Sequence, residues 1–374
     1  MTDNITKPLR RLSQLAGSLT GLTTMAGPEI PFDPNSTTFP RRADVPLLPG
    51  APEGACWVWG PSDNLGRLNL LTPTRIAAAA KASIVTGESA RLDLPLHVPA
   101  QPAFGRRVFE HRIKAIHEGV AYDDEYTLNT QSGTQWDGFR HVAHMPTQTF
   151  YNGGKAGDFR GPKGDEEPAG KGEDNLKNST HWWSEGRGFA GRAILLDYRR
   201  YAEGKGIKYD TATSHAITLD ELRRCGESQG LDIRPESQGG DVKPGDIFLI
   251  RTGWTQDYYA RSDEANRRFA LREGGEQKLV GVEQSEEMID WLHDCWFAAV
   301  GGDQPAFERW PTPEKYLLHE YLLALWGCPI GEMLDLERAA EVCARLKRWT
   351  FFFTSAPARC EGGVGSHVNG TAIW

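Results

Sequence analysis

The chain has no C-x-x-C pair, no apolar run of membrane-span length, no basic stripe and no Gly-rich nucleotide fingerprint. Each absence removes a class of function. The six cysteines (Cys56, Cys225, Cys295, Cys328, Cys343, Cys360) lack the spacing of a zinc knuckle or redox dithiol. In a chain of 374 residues such scattered thiols are expected to be reduced and partly buried, in a reducing compartment. No window approaches the roughly 18 apolar residues that a membrane span needs. The formal charge is −8, and Arg pairs such as Arg267–Arg268 do not build a nucleic-acid footprint. No phosphate loop is present, and the one G-x-G-x-x-G string, Gly186 to Gly191, leads into the apolar run AILLDY rather than out of a strand into a helix, so it is not a dinucleotide-type fingerprint. What is present is a folded-protein composition, with 12 Trp, 15 Phe and 10 Tyr spread along the chain. The expected partner is a small molecule, and the expected location is cytoplasmic.

Residues 1–50 are rich in Pro, Thr and Gly without sustained periodicity, and read as an N-terminal arm. Its first stretch is Arg- and Ser-bearing, with no acid between Asp3 and Glu29, a faint echo of a transit peptide without a secretory apolar core. Residues 51–374 read as one α/β domain. Thr72–Pro73 opens a helix in TPTRIAAAAKASI, and ARLDLPLHV alternates like a half-buried strand. AILLDY, DIFLIRTGW, WFAAVGGDQ and FFFTSAPA suit buried strands. ITLDELRRCGESQG and EQSEEMIDWLHDCW read as helices with Thr or acid near their starts, and EKYLLHEYLLALWG as an amphipathic helix ending at Gly327. The apolar-poor stretch 153–179 reads as an exposed loop or lid.

Three clusters carry chemistry. In Gln131-Ser-Gly-Thr-Gln135-Trp-Asp137-Gly-Phe-Arg-His141, alternation along a strand puts Gln131, Gln135 and Asp137 on one side, with His141 beyond a turn at Gly138. A polar strand end with a satisfied histidine is the competing reading. His141–His144 at i, i+3 is weak as a chelating pair. The second cluster runs from His319, on a Leu-rich helix, to Glu332. The third is Asp303 and Glu308 after a strand, where α/β folds commonly place active sites.

These residues resemble the cyclase family of hydrolases, which includes bacterial kynurenine formamidases and isatin hydrolases. The family signature H-x-G-T-H-x-D-x-P-x-H aligns with Gln131, Gly133, Thr134, Gln135, Asp137 and His141. Co-linear blocks extend the resemblance over roughly residues 57–373: WGPSDNLGRLNLLTP, GRAILLDY, VKPGDIFLIRTGW, WLHDCWFAAVGGDQPAFERWP, His319 to Glu332, and APARCEGGVGSHVNGTAI. The resemblance implies a swivelling β/β/α domain and assembly as a homo-dimer or homo-tetramer. It implies metal-ligand positions at Gln131, Gln135, Asp137, His319 and Glu332. The catalytic residues it implies are His141 as acid/base, with Asp137 and Glu332. The departure is that both ligand histidines are glutamine here, as in a Thr-Gln-Trp-Asp branch of larger cyclases.

Two carboxylates and a neutral His319 still balance one divalent ion. Glutamine's carbonyl is a harder, weaker donor than imidazole, so manganese is expected ahead of zinc. The alternative is no metal, with Gln131 and Gln135 presenting amide N–H groups to a substrate carbonyl. The expected function is hydrolysis of a small amide, formamide, cyclic amide or lactone. Arylformamidase action on N-formylkynurenine, a step of tryptophan catabolism, is the family's usual assignment. A metal-free lyase, dehydratase or cyclising enzyme is the alternative. A fold retained for binding alone is disfavoured, because His141, Asp137, His319 and Glu332 survive together. Trp136 and Phe139, together with Gln131 and Gln135, are expected to contact substrate, and Phe150, Tyr151, Trp182 and Trp183 extend the candidate aryl wall. Asp303 and Glu308 are expected to orient His319 or close the pocket. His367 is expected in a turn.

Overall fold

The structure, a computed structural model, describes residues 31–159, 176–185, 188–272 and 276–374. Helix α1 (Pro73–Ser83) opens as the sequence predicts, with Thr72 accepting a hydrogen bond from the Arg75 amide and Pro at the first position. The strands are β1 (Ser89–Arg91), β2 (Glu110–His117), β3 (Ala121–Thr127), β4 (Gln135–Asp137), β5 (Phe189–Leu196), β6 (Ala216–Ile217), β7 (Ile247–Ile250), β8 (Gly281–Val282), β9 (Ala299–Gly302), β10 (Ile330–Glu332), β11 (Thr350–Ser355), β12 (Gly365–Ser366) and β13 (Gly370–Ile373). Nine of them form one sheet in the order β1-β13-β11-β5-β7-β9-β10-β4-β12.

The middle of that sheet, β5-β7-β9-β10, is parallel. AILL and IFLI are buried on both faces, which is why they read as continuous apolar runs rather than alternating ones. The flanks are antiparallel, and the sheet curls: Asp93, just past β1, bridges Leu334, just past β10. Helices cover the faces through one apolar side each. The helix Leu219–Ser228 carries a full capping box between Thr218 and Glu221, worth about 1 kcal/mol.

Two sequence expectations change. ARLDLPLHV holds only the three residues of β1 as strand, because Pro95 interrupts it and the Asp93 carboxylate instead takes the Asn369 and Gly370 amides. The EKYLLHEYLLALWG segment is not amphipathic. It is a wide π-helical turn over Glu320–Leu325, buried through Leu322, Leu323, Ala324 and Leu325, with Trp326 N–H reaching back to Tyr321. Residues 160–175 of the 153–179 stretch lie outside the described residues. Of the arm, residues 31–50 dock on the body. Phe39 stacks on Trp296 with centroids 4.4 Å apart, and Arg42 pairs with Glu286 and Asp290. All six cysteines are free thiols, and only Cys360 is exposed.

His293 shows what this core does to a titratable group. It is fully buried between Trp296 and Trp326, near the Arg67 guanidinium. Burial pushes its pKa down to about 4. The unfolded chain therefore binds a proton that the folded chain refuses, so this contribution is complete above pH about 6.5 and is lost as pH falls towards 4. Replacing His293 with Gln removes that dependence. In denaturant titrations the stability of wild type relative to H293Q should fall by about 3 kcal/mol between pH 7.5 and pH 4. A constant difference would mean that His293 is charged or solvated in the folded state.

Candidate active site

The sheet brings the first two sequence clusters together. In the β4–β10 pairing, Gln135 lies opposite Glu332, Trp136 opposite Gly331 and Asp137 opposite Ile330. Residues opposite one another share a face, so Gln135, Asp137 and Glu332 project to one side. Trp136 projects to the other. There its ring lies where a Cβ on Gly331 would come within 2.9 Å, and its Nε1 donates to Ser355 Oγ at 2.9 Å. Gln131 is not on the strand: an Asn129 turn holds the Gln131 and Ser132 amides. Its side chain nevertheless reaches back, and its Oε1 accepts from Gln135 Nε2 at 2.9 Å.

His319 enters from the start of the π-helical segment. Its Nε2 lies 3.2 Å from Glu332 Oε1 and 3.5 Å from Asp137 Oδ2, and its Nδ1 lies 2.6 Å from Glu308 Oε1. Glu308 also accepts from the Leu318 and His319 amides and from Gln284 Nε2. It therefore fixes both the backbone and the ring of His319, the carboxylate–histidine pairing common behind metal ligands. Asp303 does not share that role. Its carboxylate takes Thr252 N, Thr252 Oγ1 and Gly253 N, bracing the loop after β7, and burial pushes its pKa up to about 6.

Three carboxylates, on Asp137, Glu308 and Glu332, are essentially excluded from water here. Burial opposes the Asp137 charge, but the nearby His141 and His319 outweigh it and hold its pKa below the ordinary value. Glu332 is pushed up by burial and by the Asp137 charge. Burial also disfavours a charged His319, yet the close Asp137, Glu308 and Glu332 carboxylates prevail and raise it well above the ordinary value. One imidazolium leaves this pocket short of positive charge. Asp137 Oδ2 and Gln135 Oε1 are buried without a hydrogen-bond partner, the 3.5 Å approach of His319 to the former being too long for one. Asp137, His319 and Glu332 place one donor atom each within 4.8 Å of one another. Orphaned oxygens, surplus negative charge and an oxygen-rich donor set fit a divalent cation.

The two glutamines stand differently. Gln135 Nε2 points at Gln131 Oε1, at Glu332 Oε2 (2.9 Å) and, at 3.4 Å, at Asp137 Oδ1. It presents N–H to the carboxylates rather than a carbonyl, and an amide flip separates the two roles. Gln131 Nε2 lacks a partner and sits where a Cβ on Gly365 would fall, 2.4 Å away.

His141 follows a tight turn at Gly138, where a Cβ would come within 2.3 Å of the Val364 carbonyl. Its ring is 6.4 Å from that of His319, half-buried, and without a hydrogen-bond partner among the described residues. Burial lowers its pKa, with Asp137 opposing, so the imidazole is neutral and basic near pH 7. His144 instead bonds Thr147 Oγ1. The expected aryl wall is corrected at four positions: Trp136, Phe139, Tyr151 and Trp183 are all buried in the core, Trp136 against Phe189 and Phe353, and Phe139 against Tyr151 and Trp183. Sequence reasoning missed two neighbours. Met333, next to Glu332, takes a left-handed backbone (φ 50°) with its carbonyl held by Thr134 Oγ1. Arg106 donates to the Gln131 carbonyl at 2.7 Å. Neither carries a local sequence signal, because both reach the site through long-range contacts.

The Cyclase family model matches residues 55–309. A crystal structure described as a novel cyclase is similar over 86% of this chain and 99% of its own, at 26% identity and TM-score 0.70. Isatin hydrolase A from Ralstonia solanacearum shares the fold over 81% of this chain and 97% of its own, at 17% identity and TM-score 0.52. Isatin hydrolase A from Labrenzia aggregata, bound to benzyl benzoate, does so over 79% and 96%, at 15% identity and TM-score 0.50. No curated protein matches the chain.

Proposed function

The chain belongs to the cyclase family, and from that premise we propose that Asp137, His141, His319 and Glu332 form the active site of a hydrolase acting on a small amide, formamide, cyclic amide or lactone. The observation that carries this reading is the His141 ring, without a hydrogen-bond partner among the described residues and 6.4 Å from the His319 ring of a buried carboxylate cluster. A water held between His141 and the substrate carbonyl loses its proton to the imidazole as it attacks the carbonyl carbon. His141 then returns that proton to the leaving nitrogen or oxygen as the C–N or C–O bond breaks. Asp137 stabilises the imidazolium formed in between, being the negative group that acts most directly on His141. Glu308 keeps His319 oriented.

A divalent cation held by Asp137, His319 and Glu332, manganese in preference to zinc, would supply Lewis-acid polarisation of the carbonyl. Arylformamidase-like action on N-formylkynurenine is the finer form of this proposal. It is tested by assaying N-formylkynurenine and simple lactones with and without chelator. Chelator-sensitive release of the acid supports the reading, and a wild-type protein that opens none of these bonds removes it.

One observation favours a second reading, a metal-free lyase or dehydratase. Gln135 turns its Nε2, not its carbonyl, to the Glu332 carboxylate, so there it acts as a hydrogen-bond donor rather than as a ligand. Turnover in ¹⁸O-labelled water separates the two: hydrolysis places solvent oxygen in the acid product, and elimination does not.

The proposal includes a homo-dimer or homo-tetramer. The β2–β3 ribbon supports it, because the face bearing Ile113, Ala115, Tyr122 and Tyr126 is open to water, Ile113 at 69% exposure.

A further inference from the structure

The His141 ring makes no hydrogen bond among the described residues, so its place beside the carboxylate cluster depends on the backbone that carries it. That backbone is fastened on both sides. Before His141, the Gly138 amide donates to the Val364 carbonyl at 2.9 Å, and the Arg140 guanidinium donates to the Lys177 and Gly362 carbonyls. After it, the Met145 amide donates to Glu320 Oε2 at 2.8 Å. The other hydrogen bonds of residues 142–149 among the described residues stay within the loop or reach Lys155, as in the His144–Thr149 bridge and the His144 Nδ1 contact with Thr147 Oγ1. They shape the loop without tying it to the body. Glu320 follows His319 directly in the chain, and its other oxygen, Oε1, accepts from the Leu317 amide at 2.9 Å. One carboxylate therefore joins the segment that carries His319 to the loop that carries His141.

We propose that Glu320 is a positioning residue, whose two-oxygen bridge between the Leu317 and Met145 amides sets His141 at its working distance from the cluster around His319. This rests on the hydrolase reading above. The bridge is an expensive way to fill space. Glu320 is 2% exposed and forms no ion pair among the described residues, whereas the buried Asp197 and Asp246 pair with Arg251 and Arg192. A buried carboxylate without a cation is unfavourable, and two amide donors offset that only in part. What it adds is a second acceptor. Glutamine at position 320 would offer one oxygen and turn an NH2 group towards the remaining amide. A general base must lie within hydrogen-bond reach of the water it deprotonates, and a misplacement of about 1 Å can cost about 10²-fold in rate. A ring with no bond of its own has only its backbone to prevent that drift.

The test breaks the bridge from each end, with Glu320→Gln and with Met145→Pro. Met145 is exposed and follows an extended His144 (ψ 105°), so proline removes the amide donor and little else. Either change should lower kcat about tenfold to a hundredfold and leave KM within about twofold. In an H141A background the same changes should alter kcat by less than about twofold, because no base is left to position. A side chain that only supports the fold would lower kcat by equal factors with and without His141, and that outcome overturns the proposal. So does a wild-type kcat in both variants. If E320Q fails to fold, M145P decides by the same comparison. If wild type opens none of the bonds tested, the hydrolase reading fails, and NMR of histidine-labelled protein reads the ring directly, its signal assigned by its absence in H141A. A His141 signal that is single in wild type and broadened or split in E320Q and M145P supports the bridge. One equally sharp, or equally broad, in all three refutes it.

Discussion

Replacing His141 with alanine should lower kcat/KM about 10²–10⁴-fold, the span of a general acid–base contribution, and most of the loss should fall on kcat. His141 is set apart from the cluster it serves. Asp137, His319 and Glu332 are locked to one another or to Glu308, whereas the His141 ring makes no hydrogen bond in the described chain. A side chain that holds nothing else in place can be removed at little cost to the fold, so the melting temperature of H141A should stay within a few degrees of wild type. A small amine base such as imidazole, added to H141A, should restore part of the rate. An H141A variant that keeps more than a tenth of wild-type kcat would move the proton-transfer role to another group. A variant that loses its fold would mean that the turn at Gly138 depends on the ring.

The second large effect concerns the cation. Manganese added at about 100 times its dissociation constant stabilises the folded protein by about 2.7 kcal/mol if it binds the native site alone. For a chain of 374 residues that corresponds to a rise in melting temperature of roughly 3–4 °C. Asp137→Asn and Glu332→Gln should each abolish most of that rise. Without metal these variants should hold their own stability or gain slightly, because each removes one charge from a buried cluster of three carboxylates around a single imidazolium. That opposite response with and without metal distinguishes a metal site from a structural ion-pair cluster. A manganese-dependent rise that is the same in wild type, D137N and E332Q would place the cation elsewhere on the surface. Zinc should give the smaller rise, since one imidazole among oxygen donors suits manganese better.

Much of the chemistry was legible before the fold was known, because spacing along a strand is geometry. Gln135 and Asp137, two apart on β4, do share a face, and His141 does follow a turn at a glycine that tolerates no Cβ. The crowding of aromatics around the motif, not the alternation, suggested Trp136 as a substrate contact, although period two puts it on the face opposite Gln135 and Asp137. The sheet shows it packed under Gly331 instead. The alternation is visible in sequence; which side is inside depends on the residues of β10 and β11, far along the chain. Gln131 shows the reverse case. It left the strand for an Asn129 turn, yet its side chain still joined the cluster. The histidine helix read as amphipathic because its polar residues suggested a wet face. Glu320 is buried, however, and bonds the Leu317 and Met145 amides, so a charged side chain served the interior.

The sequence by itself determined which groups the site could contain: one unencumbered histidine after a Gly turn, the two carboxylates Asp137 and Glu332, a distant His319, and glutamines where imidazoles would bind metal harder. It also determined that AILL and IFLI are buried strands, since four-residue runs with no polar break are stable only when covered on both faces. Only the tertiary structure decided which acid serves which partner. Asp303 and Glu308 lie five apart after the same strand, with nothing local to separate them, yet one braces a loop and the other holds His319. Arg106 came to the site the same way, through a backbone carbonyl that any residue at position 131 would have offered. Contacts made by backbone atoms and across long chain separations leave no periodic trace in a sequence, because the pattern records what each residue prefers and not which partner the fold delivers to it.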